Sequence, residues 1–82
     1  MGAERVTTIR GLILPVEWDD RGSIVAATIS TDFEEEYLID QNVRGEELIA
    51  YLRQKVKVAG FVREDELGKK VIAVKQYEVL EE

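Results

Sequence analysis

Apolar and β-branched residues gather in five extended stretches along the chain, the fourth alternating cleanly with polar positions, interrupted once by a helical spacing. Val6 to Val16 is rich in β-branched residues and leucine, and Gly11 within it would break a helix. A long strand with a glycine partway along suits a tightly coiled barrel, because glycine permits the bend where the strand changes partners. Pro15 marks the end of regular ladder pairing, since it has no N–H to donate. Trp18-Asp19-Asp20-Arg21-Gly22 places paired aspartates before a glycine that can take positive φ, which predicts a hairpin connection. Ser23 to Thr31 forms a second strand. Val25, Ala27 and Ile29 alternate on one face, Ile24, Ala26 and Thr28 on the other. Neither face is clearly polar, and the first is assigned to the core. The acidic run Glu34-Glu35-Glu36 reads as a turn, and Tyr37-Leu38-Ile39 as a short third strand that ends in Asp40-Gln41-Asn42.

Gly45 to Gln54 carries the helical signal. Leu48, Ile49 and Leu52 make a narrow apolar stripe with Tyr51 beside it, while Glu46 and Glu47 open the segment and Arg53 closes it, as the helix dipole prefers. At two to three turns this helix would be marginal alone, so it must pack down as a plug. Lys55 to Arg63 alternates cleanly. Val56, Val58, Gly60 and Val62 share one face, and Lys57, Ala59, Phe61 and Arg63 the other. Glu64-Asp65-Glu66-Leu67-Gly68 predicts a second hairpin turn, and Lys69 to Leu80 a fifth strand that frays at Glu81 and Glu82. No internal repeat or linker interrupts residues 1–82, which read as one domain.

The resulting order is β-β-β-α-β-β. Arg10-Gly11-Leu12-Ile13, the short helix, Lys55-Val56-Lys57-Val58-Ala59-Gly60-Phe61-Val62 and Val71-Ile72-Ala73-Val74 after a glycine turn together resemble a small bacterial OB domain. The resemblance spans nearly the whole chain but concerns architecture. It implies a mainly β, five-stranded, partly open Greek-key barrel with a short helix between strands 3 and 4. Ligands of that fold bind the face of strands 2 and 3 and the loops between strands 1 and 2 (L12) and strands 4 and 5 (L45). A β-grasp is the rival architecture, and the brevity of the helix counts against it.

Composition narrows the chemistry. The chain has 82 residues and no cysteine, so neither a disulfide nor a thiolate metal site reinforces a core that buries only about 60–65% of the unfolded surface. A closed sheet or a partner subunit is the remaining reinforcement. No apolar run approaches a membrane span, no signal peptide is evident, and Val6 stands where a myristoylated Met1-Gly2 terminus needs Ser or Thr. The expected location is the cytoplasm. With no histidine and no cysteine, the commonest general base, metal ligand and nucleophilic relays are gone. Asp19-Asp20 and Glu34-Glu35-Glu36 are adjacent acids in turns, which are usually only solvated, and they lack the ligand spacing of a calcium loop. The expectation is a protein without enzymatic activity, cofactor or metal.

Two kinds of partner follow. Single-stranded nucleic acid requires a positive groove and stacking aromatics. Trp18 in L12 and Phe61 on the fourth strand could stack bases, although Trp18 capping a barrel opening and Phe61 packing under the helix or a loop is the simpler reading. A basic row of Arg53, Lys55, Lys57 and Arg63 exists, but 17 acidic against 11 basic side chains leave a net charge of −6. L12 holds Glu17, Asp19 and Asp20 against Arg21, and L45 holds Glu64, Asp65 and Glu66 ahead of Lys69 and Lys70. The favoured expectation is therefore a protein-interaction or structural module, including self-association, with open strand edges available for β-augmentation. The candidate contact residues are Trp18, Arg21, Tyr37, Phe61, Arg63 and Lys69.

Overall fold

A computed structural model describes residues 6–40 and 42–80. The Met1-Gly2 start, Gln41 and the fraying at Glu81 and Glu82 lie outside the described residues. Five strands, β1 (Thr7–Trp18), β2 (Ile24–Thr31), β3 (Glu36–Ile39), β4 (Lys55–Glu64) and β5 (Lys70–Val79), form a barrel in the order β1-β2-β3-β5-β4. Between β3 and β4 stand α1 (Val43–Leu48) and a single 3-10 turn, Ile49–Tyr51. The architecture is mainly β and OB-like. The β-grasp alternative fails because β3 is a strand in its own right, hydrogen-bonded to β2 and, in parallel, to β5.

The barrel is closed, not partly open as expected. Leu38 opposite Val71 and Ile39 opposite Ile72 seal the gap between β3 and β5, and the Asp40 amide donates to the Ile72 carbonyl at 2.9 Å. At the other side β1 serves two neighbours. Its first half, Thr7 to Leu12, pairs with β4, and its second half, from Gly11 onward, pairs with β2. Gly11 and Leu12 belong to both ladders, so the expected change of partners occurs at the glycine. A Cβ on Gly11 would lie 2.2 Å from the Ser30 carbonyl oxygen, and one on Gly60 would lie 2.2 Å from that of Ala73. Both contacts are with backbone, so the strands close together only because these positions carry no side chain.

β1 runs two residues past its expected end. The register shifts twice between Pro15 and Trp18, so regular pairing does stop at Pro15, but the chain continues as a bulged strand. Trp18 is consequently the last residue of β1, opposite Ile24, and not part of the loop.

Alternation then fills the interior. Ile9, Ile13, Ala27, Ile29, Tyr37, Ile39, Val56, Val58, Ile72 and Val74 point inward and are buried, joined by Leu48 of α1. The face of β2 chosen from sequence is thus the core face, with Val25 half-buried at its start. Thr28, on the opposite face, is buried as well, at 7% exposure.

The helix differs most from expectation. It begins earlier, at Val43, because the Asn42 side chain accepts the Gly45 amide at 2.7 Å and so caps the first turn. It also ends earlier. The Arg53 amide donates to the Ile13 carbonyl at 2.7 Å, and Gln54 accepts the Ile13 amide, so this stretch is held by β1 and cannot continue a helix. Arg53 takes φ 65° and lies beyond the last turn instead of balancing the dipole. Leu48 plugs the barrel, while Tyr51 and Leu52 pack half-buried against the core. The Tyr77 hydroxyl donates to Glu47 at 2.9 Å, fastening α1 to β5.

Three hairpin turns share one design. In Asp19 to Ser23 and in Asp65 to Lys69, the first residue's carbonyl accepts from the glycine three positions on, and its amide donates to the carbonyl four positions on. Its carboxylate meanwhile accepts two further amides, those of Arg21 and Ser23 or of Leu67 and Lys69. Thr31 to Glu35 repeats the pattern, with the threonine hydroxyl as the acceptor and Glu34, at φ 63°, in the glycine's place.

Two outcomes test this account. Gly11→Ala should lower unfolding free energy by about 1–3 kcal/mol through overpacking against the Ser30 backbone. A change under half a kilocalorie in chemical denaturation would show that β1 does not need the close approach. Second, the Tyr77 hydrogen bond, followed by Arg44, holds the Glu47 carboxyl below its ordinary value of 4.5, and the same bond raises the Tyr77 hydroxyl above 10.0. A lowered carboxyl stabilises the fold above its unfolded pKa and loses that contribution as pH falls through the folded one. A raised hydroxyl loses its contribution as pH climbs through its folded value. Tyr77→Phe should therefore cost most stability between those limits, with the deficit shrinking toward both extremes. Carboxyl-carbon NMR should show the Glu47 titration moving upward in this variant.

Candidate functional site

The outer surface of the barrel is unusually apolar on one side. Strands covered on one face normally alternate with polar residues on the other. In β1 the inward set is Ile9, Gly11 and Ile13, yet the outward set includes Leu12 at 44% exposure and Leu14 at 36%. Beyond the bulge, Val16 and Trp18 remain 46% and 54% exposed. From Leu14 one register row leads around the barrel, in which Thr28 and Val71 are buried and Leu38 is half-buried. Leu14 lies opposite Thr28, Thr28 opposite Leu38, Leu38 opposite Val71, and Val71 opposite Arg63.

Between the end of β1 and the L45 hairpin this surface dips into a groove of about 400 Å³, lined by Val16, Thr28, Glu36, Leu38, Lys69 and Lys70 among others. At the barrel end near the turn between β2 and β3 (L23), Thr7, Ile9, Thr31, Phe33 and Tyr37 border a second, larger hollow of about 720 Å³ that Arg10 and Lys57 also line. The two are separated by a fixed cluster. Lys70 donates to Glu35 at 2.8 Å and stands 5.3 Å from the centre of the Tyr37 ring. That hydrogen bond, and then the tyrosine, raise the Lys70 ammonium above its ordinary value.

The shared turn design decides what the hairpins present. Its third residue is Arg21 in L12, Phe33 in L23 and Leu67 in L45, and all three are exposed. Phe33 and Leu67 are the most exposed large apolar residues, at 85% and 82%. The acids that precede them have a structural part to play, since Asp19 and Asp65 build their turns. They leave L12 and L45 rich in carboxylates, with Glu17 and Asp20 beside the first and Glu64 and Glu66 in the second.

The residues singled out from sequence scatter. Trp18 and Arg21 stand together at L12, with Trp18 exposed on the outside and not capping a barrel opening. Lys69 lines the groove. Tyr37 points inward and is 8% exposed, a core residue whose edge reaches the larger hollow. Phe61 lies half-buried opposite Ala73 on the outer face of β4, and Arg63 is occupied by Asp40 at 3.2 Å. Lys55 of the basic row is likewise taken up, by Asp32 at 3.4 Å. Sequence reasoning missed Leu12, Leu14, Val16 and Leu38. The signal for the first three was present, because both alternating sets of the first strand are apolar.

No protein-family model matches the chain, and comparison with curated proteins finds no match. Among the described residues, no three His, Cys, Asp or Glu side chains converge to hold a metal ion, and no helix is long and apolar enough to cross a membrane. What the arrangement offers chemically is contact: an apolar strip, a groove beside it, and a rim of carboxylates. Strand edges offer less than expected, because closure has paired them.

The Lys70 cluster supports the short β3–β5 seam. Lys70→Ala should speed amide exchange across Glu36–Ile39 and leave the β1–β2 ladder unchanged. Equal protection in both seams would show that the cluster is not a clamp.

Proposed function

We propose that this protein is a non-enzymatic docking module that binds protein through the outer face of β1, β2 and β3. One observation carries the reading: Leu12, Leu14, Val16 and Trp18 lie exposed along a single strand beside a groove. Contiguous exposed apolar surface rimmed by polar residues marks interaction sites, and aromatic anchors dominate the energetics of such contacts. The acidic rim favours protein over nucleic acid, because Glu17, Asp20, Glu36 and Glu66 stand where a phosphate backbone would have to run. Arg63 and Lys55, the cations best placed to meet phosphate, already face carboxylates.

A photoreactive amino acid at position 18 should give discrete protein adducts in the native cell extract, and the same group at exposed position 75 should not. In parallel, short single-stranded DNA and RNA at low salt should leave the amide spectrum unchanged. Localised shifts on β2, β3 and Trp18 that weaken steeply with salt would overturn the proposal in favour of nucleic acid.

A further inference from the structure

The strip on β1 has a polarity that makes it complementary to itself. At its start Arg10 lies directly opposite Lys57 of β4, and Leu12 directly opposite Lys55, so these side chains share the outer face. The carboxylates facing this end are Asp32, which holds Lys55, Glu78, opposite Lys57, and Glu35, which borders the same hollow and is held by Lys70. With Lys70 counted beside Glu35, four cations therefore meet three acids. At its finish stand Glu17, Asp19 and Asp20 with Arg21 as the single cation. Leu12, Leu14, Val16 and Trp18 lie between the two ends, all exposed.

A two-fold axis turns such a strip onto itself with its direction reversed. Placed near Leu14, the axis brings Leu14 against Leu14 of the second copy and Leu12 against Val16 of the second copy. Arg10 then reaches Trp18 of the second copy, where a guanidinium on an indole face is favourable. The basic end of each chain meets the acidic end of the other. Eight residues separate Arg10 from Trp18, about 26 Å at the strand rise, so the two charged contacts flank a central apolar one. We propose that the docking face described above is occupied by a second copy of this chain, packed antiparallel through β1. The inference rests on the docking reading and names its partner. Long-range repulsion between two chains of net charge −6 does not oppose this at physiological ionic strength, where screening acts over about 8 Å.

Sedimentation and Trp18 fluorescence decide it. The protein should sediment as a dimer, and emission from its single tryptophan should shift to the blue as concentration rises. Leu14→Lys, at an exposed position, should raise the dissociation constant by roughly 30-fold or more with the far-ultraviolet circular dichroism unchanged. The charge test does not depend on that variant. R10E/K57E makes both ends acidic, and E17K/D20K makes both basic, so each should be monomeric alone. An equimolar mixture should restore a dimer containing one of each. A wild-type monomer at millimolar concentration overturns the proposal, as does a dimer indifferent to all of these substitutions. A monomer that still forms discrete adducts from position 18 with another protein ends the two-fold dimer and leaves the docking reading standing. A monomer without adducts ends both.

Discussion

The structure depends on one strand keeping two neighbours. β1 pairs with β4 through its first half and with β2 through its second, and the changeover happens where Gly11 meets the Ser30 carbonyl. Without that contact the sheet would remain open between β1 and β4 or between β1 and β2, and the interior would be wet. Gly60 makes the matching concession in β4, against Ala73 of β5. Closure is what allows a chain with no cysteine to hold a core, because a closed barrel leaves few backbone groups unpaired and seals a compact apolar interior.

The same closure sets the limits of the interior. A five-stranded barrel admits the inward half of each strand plus one plug, and Leu48 supplies the plug. Apolar residues beyond that capacity must stand outside. Leu12, Leu14 and Val16 are therefore not misplaced core residues. They are surplus to the interior and lie exposed on the outer face of the strand that pairs with two neighbours. Four exposed apolar side chains, Leu12, Leu14, Val16 and Trp18, on one strand are more than solubility alone would retain, and that surplus is the basis of the proposed contact with protein.

Charge acts in two capacities that are easily confused in the primary structure. Asp19 and Asp65 accept backbone amides and so fix the hairpins, and Thr31 does the same with a neutral oxygen. Their shared geometry accounts for the aspartates that open two of the loops. It also explains why the exposed tips differ in chemistry, as Arg21, Phe33 and Leu67 occupy one equivalent position. Turn formation and the acidic rim beside the apolar strip therefore have the same source.

Local rules made much of this legible. Local pattern placed all five strands, alternation assigned the inward faces of β2 and β4, and glycine placed the bend in β1, because period and backbone freedom are properties of neighbouring residues. The limits of α1 were misplaced because Arg53 and Gln54 are held by Ile13, about forty residues away in sequence, and local spacing carries no trace of that bond. Closure was likewise invisible, since the β3–β5 seam joins residues far apart along the chain through only two paired positions. Of the candidate contacts, Trp18, Arg21 and Lys69 are exposed, whereas Tyr37 went to the core and Arg63 to Asp40. By itself the sequence determined which residues would form strands and turns, and that histidine and cysteine are absent. Tertiary structure alone decided which apolar residues the barrel had no room for, because interior volume belongs to the closed sheet and not to any strand within it.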